Sequence, residues 1–105
     1  MTLREYLSLT PEQKQLGVFI QGDENNGEYK EWWSSGQLYK HFFYKNRKLD
    51  GEYKSWHSNG QLRKHCFWKD GNRNGEYKSW YIYGQLCEHY FYENGKIIKD
   101  YLEEK

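Results

Sequence analysis

One run of residues occurs three times at a spacing of 24: Gly27-Glu28-Tyr29-Lys30-Glu31-Trp32, Gly51-Glu52-Tyr53-Lys54-Ser55-Trp56 and Gly75-Glu76-Tyr77-Lys78-Ser79-Trp80. Each run leads to a Gly-Gln-Leu triplet: Gly36-Gln37-Leu38, Gly60-Gln61-Leu62 and Gly84-Gln85-Leu86. A histidine and a phenylalanine then follow, as His41 and Phe43, His65 and Phe67, His89 and Phe91. Ten of the 24 positions are the same in all three copies. A fixed period of this length implies stacked supersecondary units that touch only their neighbours, since one unit alone cannot bury its apolar side. The chain is expected to be a scaffold before anything else.

Each unit holds two β-prone segments, such as Gly51 to His57 and Gln61 to Lys69. Between them lie Ser34-Ser35-Gly36, Ser58-Asn59-Gly60 and Ile82-Tyr83-Gly84. Asn-Gly between such segments predicts a type I′ hairpin, in which both central residues need positive φ. The links Lys45-Asn46-Arg47, Asp70-Gly71-Asn72 and Glu93-Asn94-Gly95 carry the same turn chemistry. The predicted fold is all-β, a single elongated antiparallel hairpin meander. Tyr29, Trp32, Leu38 and Phe43 are expected to pack unit on unit. Their equivalents are Tyr53, Trp56, Leu62 and Phe67, then Tyr77, Trp80, Leu86 and Phe91. Gly36, Gly60 and Gly84 make the turns.

The period runs past the obvious copies. Stepping back 24 from Phe43 reaches Phe19, and stepping forward 24 from Tyr77 reaches Tyr101. This predicts a repeat domain over 17–105, with half repeats at 17–26 and 99–105 around full repeats 27–50, 51–74 and 75–98. Residues 1–16 read as a helical cap. Thr2 with Glu5 and Thr10 with Gln13 have capping-box spacing, and Pro11 suits a first helical position. Two short helices, about 2–8 and 10–16, would lay Leu3, Tyr6, Leu7, Leu9 and Leu16 over the first hairpin.

Hydrophobic residues are 36% of the chain, so the aromatics, at 20%, must supply most of the buried area. Alternation along the second strands puts Leu62, Cys66 and Trp68 on one side, with His65 and Phe67 on the other. Both sides of the sheet are then aromatic, and a lone single-layer sheet would leave one side wet. Open edge strands pose the same problem. A two-fold homodimer is expected, with terminal strands open to exchange between protomers. The interface candidates are Phe19, Phe42, Tyr44, Trp68, Tyr90, Tyr92, Tyr101 and Leu102.

Chemistry is sparse. His41, His65 and His89 share one repeat position, so neighbours lie two strands, roughly 10 Å, apart. Zinc needs nitrogens at about 2.0–2.1 Å, so no two of these rings can share an ion. Glu28, Glu52 and Glu76 form a ladder beside Lys30, Lys54 and Lys78 rather than a catalytic carboxylate pair. No phosphate loop, nucleophile set or activated cysteine stands out. The expectations are no catalytic residue, no metal and no cofactor. Cys66 and Cys87 fall at different repeat positions and read as reduced thiols of a soluble, intracellular protein. No apolar run reaches the roughly 20 residues of a membrane span, and no secretory signal opens the chain.

Charge is uneven although the total is only +1. Residues 27–74 hold ten Lys or Arg against five Asp or Glu, between acidic ends. A basic centre interleaved with Tyr and Trp could meet nucleic acid or anionic lipid, with Lys40, Lys45, Arg47, Lys48, Arg63 and Lys64 as candidate phosphate contacts.

The pattern Gly-Glu-Tyr-Lys-x-Trp-x-x-x-Gly-Gln-Leu, followed by Tyr-x-Asn-Gly-Lys, resembles the MORN repeat. It is most similar to the variant found in bacterial antitoxin-like proteins and in giant DNA viruses of amoebae. The resemblance spans 17–102 and rests on Tyr29, Trp32, Gly36, Leu38 and their equivalents. It implies an elongated hairpin sheet acting in protein association, scaffolding or membrane apposition. The Asn-, Lys- and Tyr-rich wording implies a virion or infected-host setting, and the bacterial likeness implies a partner-masking antitoxin as another role. The usual repeat is about one residue shorter and ends Gly-x-Gly.

Overall fold

The computed structural model describes residues 18–102, and these form a ten-stranded antiparallel sheet. The strands are β1 (Val18–Gly22), β2 (Asn26–Trp32), β3 (Leu38–Lys45), β4 (Lys48–Leu49), β5 (Gly51–Trp56), β6 (Leu62–Lys69), β7 (Asn72–Arg73), β8 (Gly75–Trp80), β9 (Leu86–Glu93) and β10 (Lys96–Asp100). Their spatial order is β1-β2-β3-β5-β6-β8-β9-β10, with β4 extending the pairing of β3 and β7 that of β6. This is the meander that the 24-residue period predicts. The predicted helical cap over 1–16 lies outside the described residues.

Pairing preserves the repeat in its register. Tyr29 lies opposite Phe42, Tyr53 opposite Cys66, and Tyr77 opposite Tyr90. Side chains alternate between the faces, so these pairs share one side while Glu28–Phe43, Glu52–Phe67 and Glu76–Phe91 share the other. We call the first the tyrosine face and the second the glutamate–histidine face. A bulge recurs before the last residue of β2, β5 and β8 and sets Trp32, Trp56 and Trp80 opposite Leu38, Leu62 and Leu86.

The two kinds of turn differ. At the links, Asn46 and Arg47 have φ of 50° and 65°, and Asp70 and Gly71 have 49° and 83°. Asn94 and Gly95 repeat this at 49° and 84°. These are the type I′ turns, with both central residues left-handed. The Asn59-Gly60 turn is not one, contrary to the reading of the dipeptide. Only Gly60 has positive φ, at 88°. The Gly60 amide donates to the His57 carbonyl at 2.9 Å and the His57 amide to the Gln61 carbonyl at 2.8 Å. That is a three-residue loop, a type I turn closed by a left-handed glycine. It recurs with Gly36 and Gly84, whose amides donate to Trp33 and Tyr81.

The core sits on the tyrosine face of the second and third units. Cys66, Tyr77 and Tyr92 are buried there, with Tyr53, Trp68 and Tyr90 packed around them. Towards the first unit Tyr29, Phe42 and Tyr53 continue the stack, with ring centroids 4.7 and 5.3 Å apart. Offset ring pairs of this kind add about 0.5–1.5 kcal/mol each beyond the area they bury. The extents are 49 × 35 × 17 Å, in keeping with one sheet layer.

Candidate interaction surfaces

On the glutamate–histidine face each unit builds the same three-residue contact. Within one strand the glutamate reaches the lysine two residues on: Glu28–Lys30 at 3.5 Å, Glu52–Lys54 at 3.7 Å and Glu76–Lys78 at 3.8 Å. Across the hairpin it also meets the histidine, as Glu28–His41 at 3.2 Å, Glu52–His65 at 2.8 Å and Glu76–His89 at 2.9 Å. The sequence reading saw the lysine contacts and missed the histidine ones. Antiparallel register makes them, because His65 pairs with Lys54 and so lies diagonal to Glu52. Hydrogen bonds from His65 and His89 hold the Glu52 and Glu76 carboxyls below their ordinary range. Burial holds the His41 imidazole below its own, although Glu28 pulls the other way.

Phenylalanines fill the gaps between these contacts. His41 and His65 each tilt against Phe43 and Phe67 at 5.2 Å between centroids. His89 instead stacks on Tyr101 at 4.0 Å. The three histidines lie on β3, β6 and β9, two strands apart as expected. Among the described residues no group of three or more metal-ligating side chains converges.

The hairpin tips interlock from unit to unit. Trp33 Nε1–H donates to the Trp56 carbonyl at 3.2 Å, and at the equivalent position His57 Nε2 lies 2.8 Å from the Trp80 carbonyl. Asn59 Nδ2–H donates to the Ile82 carbonyl at 2.9 Å. The third tip carries Tyr81, Ile82 and Tyr83, all exposed, and Tyr83 is 83% exposed. The links lock in the same manner. Side-chain oxygens of Asn26, Asp50 and Asn74 accept from the backbone amides of Asn46, Asp70 and Asn94 at 3.1–3.3 Å.

Of the residues predicted to pack the repeat, Trp32 and Tyr77 are buried, while Leu86, Phe67 and Phe91 are exposed. Two of the proposed interface residues need correction. Phe42 and Tyr92 are buried within the chain, under Tyr29, Tyr53 and Tyr77, so they have no surface left for a partner. Tyr44, Trp68, Tyr90 and Tyr101 are half-buried and Leu102 is exposed. Phe19 pairs with Tyr29 across β1 and β2.

The candidate phosphate contacts do not form one track. Lys40 and Lys64 lie on the tyrosine face, Lys64 over the Tyr77 ring at 5.6 Å. Lys45, Arg47 and Lys48 cluster at a link turn, where Arg47 Nε donates to Asn25 Oδ1 at 2.6 Å. Arg63 sits near a tip, its Nη1 3.4 Å from the Tyr39 hydroxyl.

Arg73 escaped the sequence reading altogether. Its guanidinium carbon lies 5.4 Å from the Trp68 ring centroid, 4.9 Å from that of Tyr77 and 5.4 Å from that of Tyr92. Its signal was available. The equivalent positions are Leu49 and Ile97, so a cation replaces an aliphatic residue at a position facing the core rings. Beside it opens a cleft of 670 Å³ lined by Trp68, Gly71, Asn72, Arg73, Tyr92, Gly95, Lys96 and Ile97.

Residues 25–46 and 49–70 each match the family model described as the MORN repeat variant. No curated protein and no solved structure matches the chain. Among the described residues no helix is long and apolar enough to cross a membrane.

Proposed function

We propose, from a chain whose residues 25–46 and 49–70 are MORN-variant repeats and whose third copy follows by its own period, a non-enzymatic scaffold that associates with itself and with protein partners. MORN repeats generally serve as scaffolds for contacts with proteins or membranes. The observation that carries the reading is the end of the sheet. Among the described residues β10 is an edge strand, and Ile97 and Ile98 stand 51% and 56% exposed along it. An edge strand that exposes two isoleucines is a template for another strand. A homodimer joined along this edge, with Leu102 in the contact, satisfies both needs. The dispersal of the central cations favours protein contact over a phosphate track. The wording of the repeats favours a virion or infected host cell as the setting.

Sedimentation equilibrium at micromolar concentration tests the assembly. The expected result is a species of twice 12.9 kDa that Ile98→Lys converts to monomer, because a lysine on an edge strand opposes pairing. A single 12.9 kDa species for the unaltered chain overturns the dimer.

A further inference from the structure

The cleft beside Arg73 has the makings of a recognition site. Arg73 is a cation set among rings: Nη1 donates to the Tyr92 hydroxyl at 3.3 Å, and Nε is buried without a hydrogen-bond partner. The ion pairs among the described residues are all glutamate contacts on the opposite face, and none includes Arg73 or Lys96. Burial opposes the Arg73 cation, but its hydrogen bond to Tyr92 and the surrounding tyrosines more than offset this, so the charge is held in place. Lys64, on the same face, feels it: burial and then the nearby Arg73 charge push its ammonium below the usual lysine range. The two charged residues that line the cleft, Arg73 and Lys96, are both cationic.

The walls specify more than charge. Half-buried Trp68 offers ring surface, and Ile97 closes the side with an exposed aliphatic chain. The cleft lies along the turns Asp70-Gly71 and Asn94-Gly95, at the margin of the sheet, and is open to solvent along its length. That shape suits a passing chain better than an enclosed small molecule. We infer that this cleft binds an acidic peptide segment of a protein partner, one carboxylate pairing with the Arg73 guanidinium and a neighbouring apolar side chain resting on Trp68 and Ile97. A guanidinium pairs with carboxylates through charge-assisted hydrogen bonds, and Arg73 lines this cleft. The inference rests on the scaffold reading and names the chemistry of one partner contact.

The test is a ¹⁵N NMR titration of the full chain, in which Arg73 Nε–H and Trp68 Nε1–H report directly. Three probes are compared: acetyl-Phe-Glu-Glu-amide, its isostere acetyl-Phe-Gln-Gln-amide, and inorganic phosphate. The expected result is saturable shifts at Arg73, Trp68 and the Gly95 amide with the Glu peptide, weakened about tenfold or more with the Gln peptide. Arg73→Leu, which installs the residue found at position 49, should keep the spectrum dispersed and abolish the shifts. Equal shifts from both peptides, the same shifts in Arg73→Leu, or no shift at millimolar Glu peptide each overturn the proposal. Phosphate moving the same signals as strongly as the Glu peptide also overturns it, in favour of a bare-anion site. If Arg73→Leu loses its dispersion, the comparison of the three probes on the unaltered chain decides alone. Self-association is read on the same samples by diffusion, so a failed cleft with a surviving dimer separates this idea from the scaffold reading.

Discussion

Gly84 shows how one atom constrains this fold. Its φ is +94°, and a Cβ built there would come within 3.2 Å of Gln61 Oε1 from the preceding tip. Gly60 repeats the arrangement with φ +88° and Gln37 Oε1 at 3.2 Å. Gly84→Ala should therefore cost about 1–2 kcal/mol in urea unfolding, from the left-handed backbone, with displacement of Gln61 added. A variant as stable as the parent would show that the tip relaxes freely. The cysteines differ as sharply. Cys66 is 1% exposed and burial pushes its thiol pKa up, whereas Cys87 is half-buried. Thiol labelling should modify Cys87 in the native protein and Cys66 only on opening of the sheet. Rapid labelling of both would contradict the packing of Cys66 against Tyr77. The free thiols were legible from their differing repeat positions. Arg73 was not read, because its meaning depends on three rings drawn from three strands.

At the scale of the hairpin, the Glu–His–Lys contacts make stability depend on pH. Glu52 and Glu76 have folded pKa values lowered from 4.5, so their contribution is present above 4.5 and is lost as pH falls through the folded values. His41 is lowered from 6.5, so the unfolded chain takes up that proton first, and stability also declines as pH falls below 6.5. Urea midpoints should decline in two stages on acidification. His41→Gln should remove the earlier stage, and Glu52→Gln with Glu76→Gln the later one. A midpoint independent of pH between 7 and 3 would rule out these pairings. Strands and faces were legible here, since period-two alternation and period-24 repetition agree. Turn type was less so. Asn59-Gly60 and Asn94-Gly95 are the same dipeptide, yet only the second makes a type I′ turn. Loop length decides between them, and it depends on where the flanking strands pair.

The molecule as a whole behaves as a line of neighbours. Each hairpin touches only the next, so stability should be shared along the row and weakest at its ends. Hydrogen exchange should be slowest in β6 and β8, which carry Cys66 and Tyr77, and in the adjoining β5, and fastest in β1. Uniform protection across all strands would instead mark one cooperative core. Repetition and alternation determined the meander and the placing of Cys66 and Trp68 on one side, with His65 and Phe67 on the other. Those follow from a period of 24 laid over a strand period of two. Tertiary structure alone decided which rings are spent inside the chain, as Phe42 and Tyr92 are, and where a lone cation meets a cleft. Identical positions receive different neighbours, as Tyr29, Tyr53 and Tyr77 face Phe42, Cys66 and Tyr90, and such contacts exist only once the strands have paired.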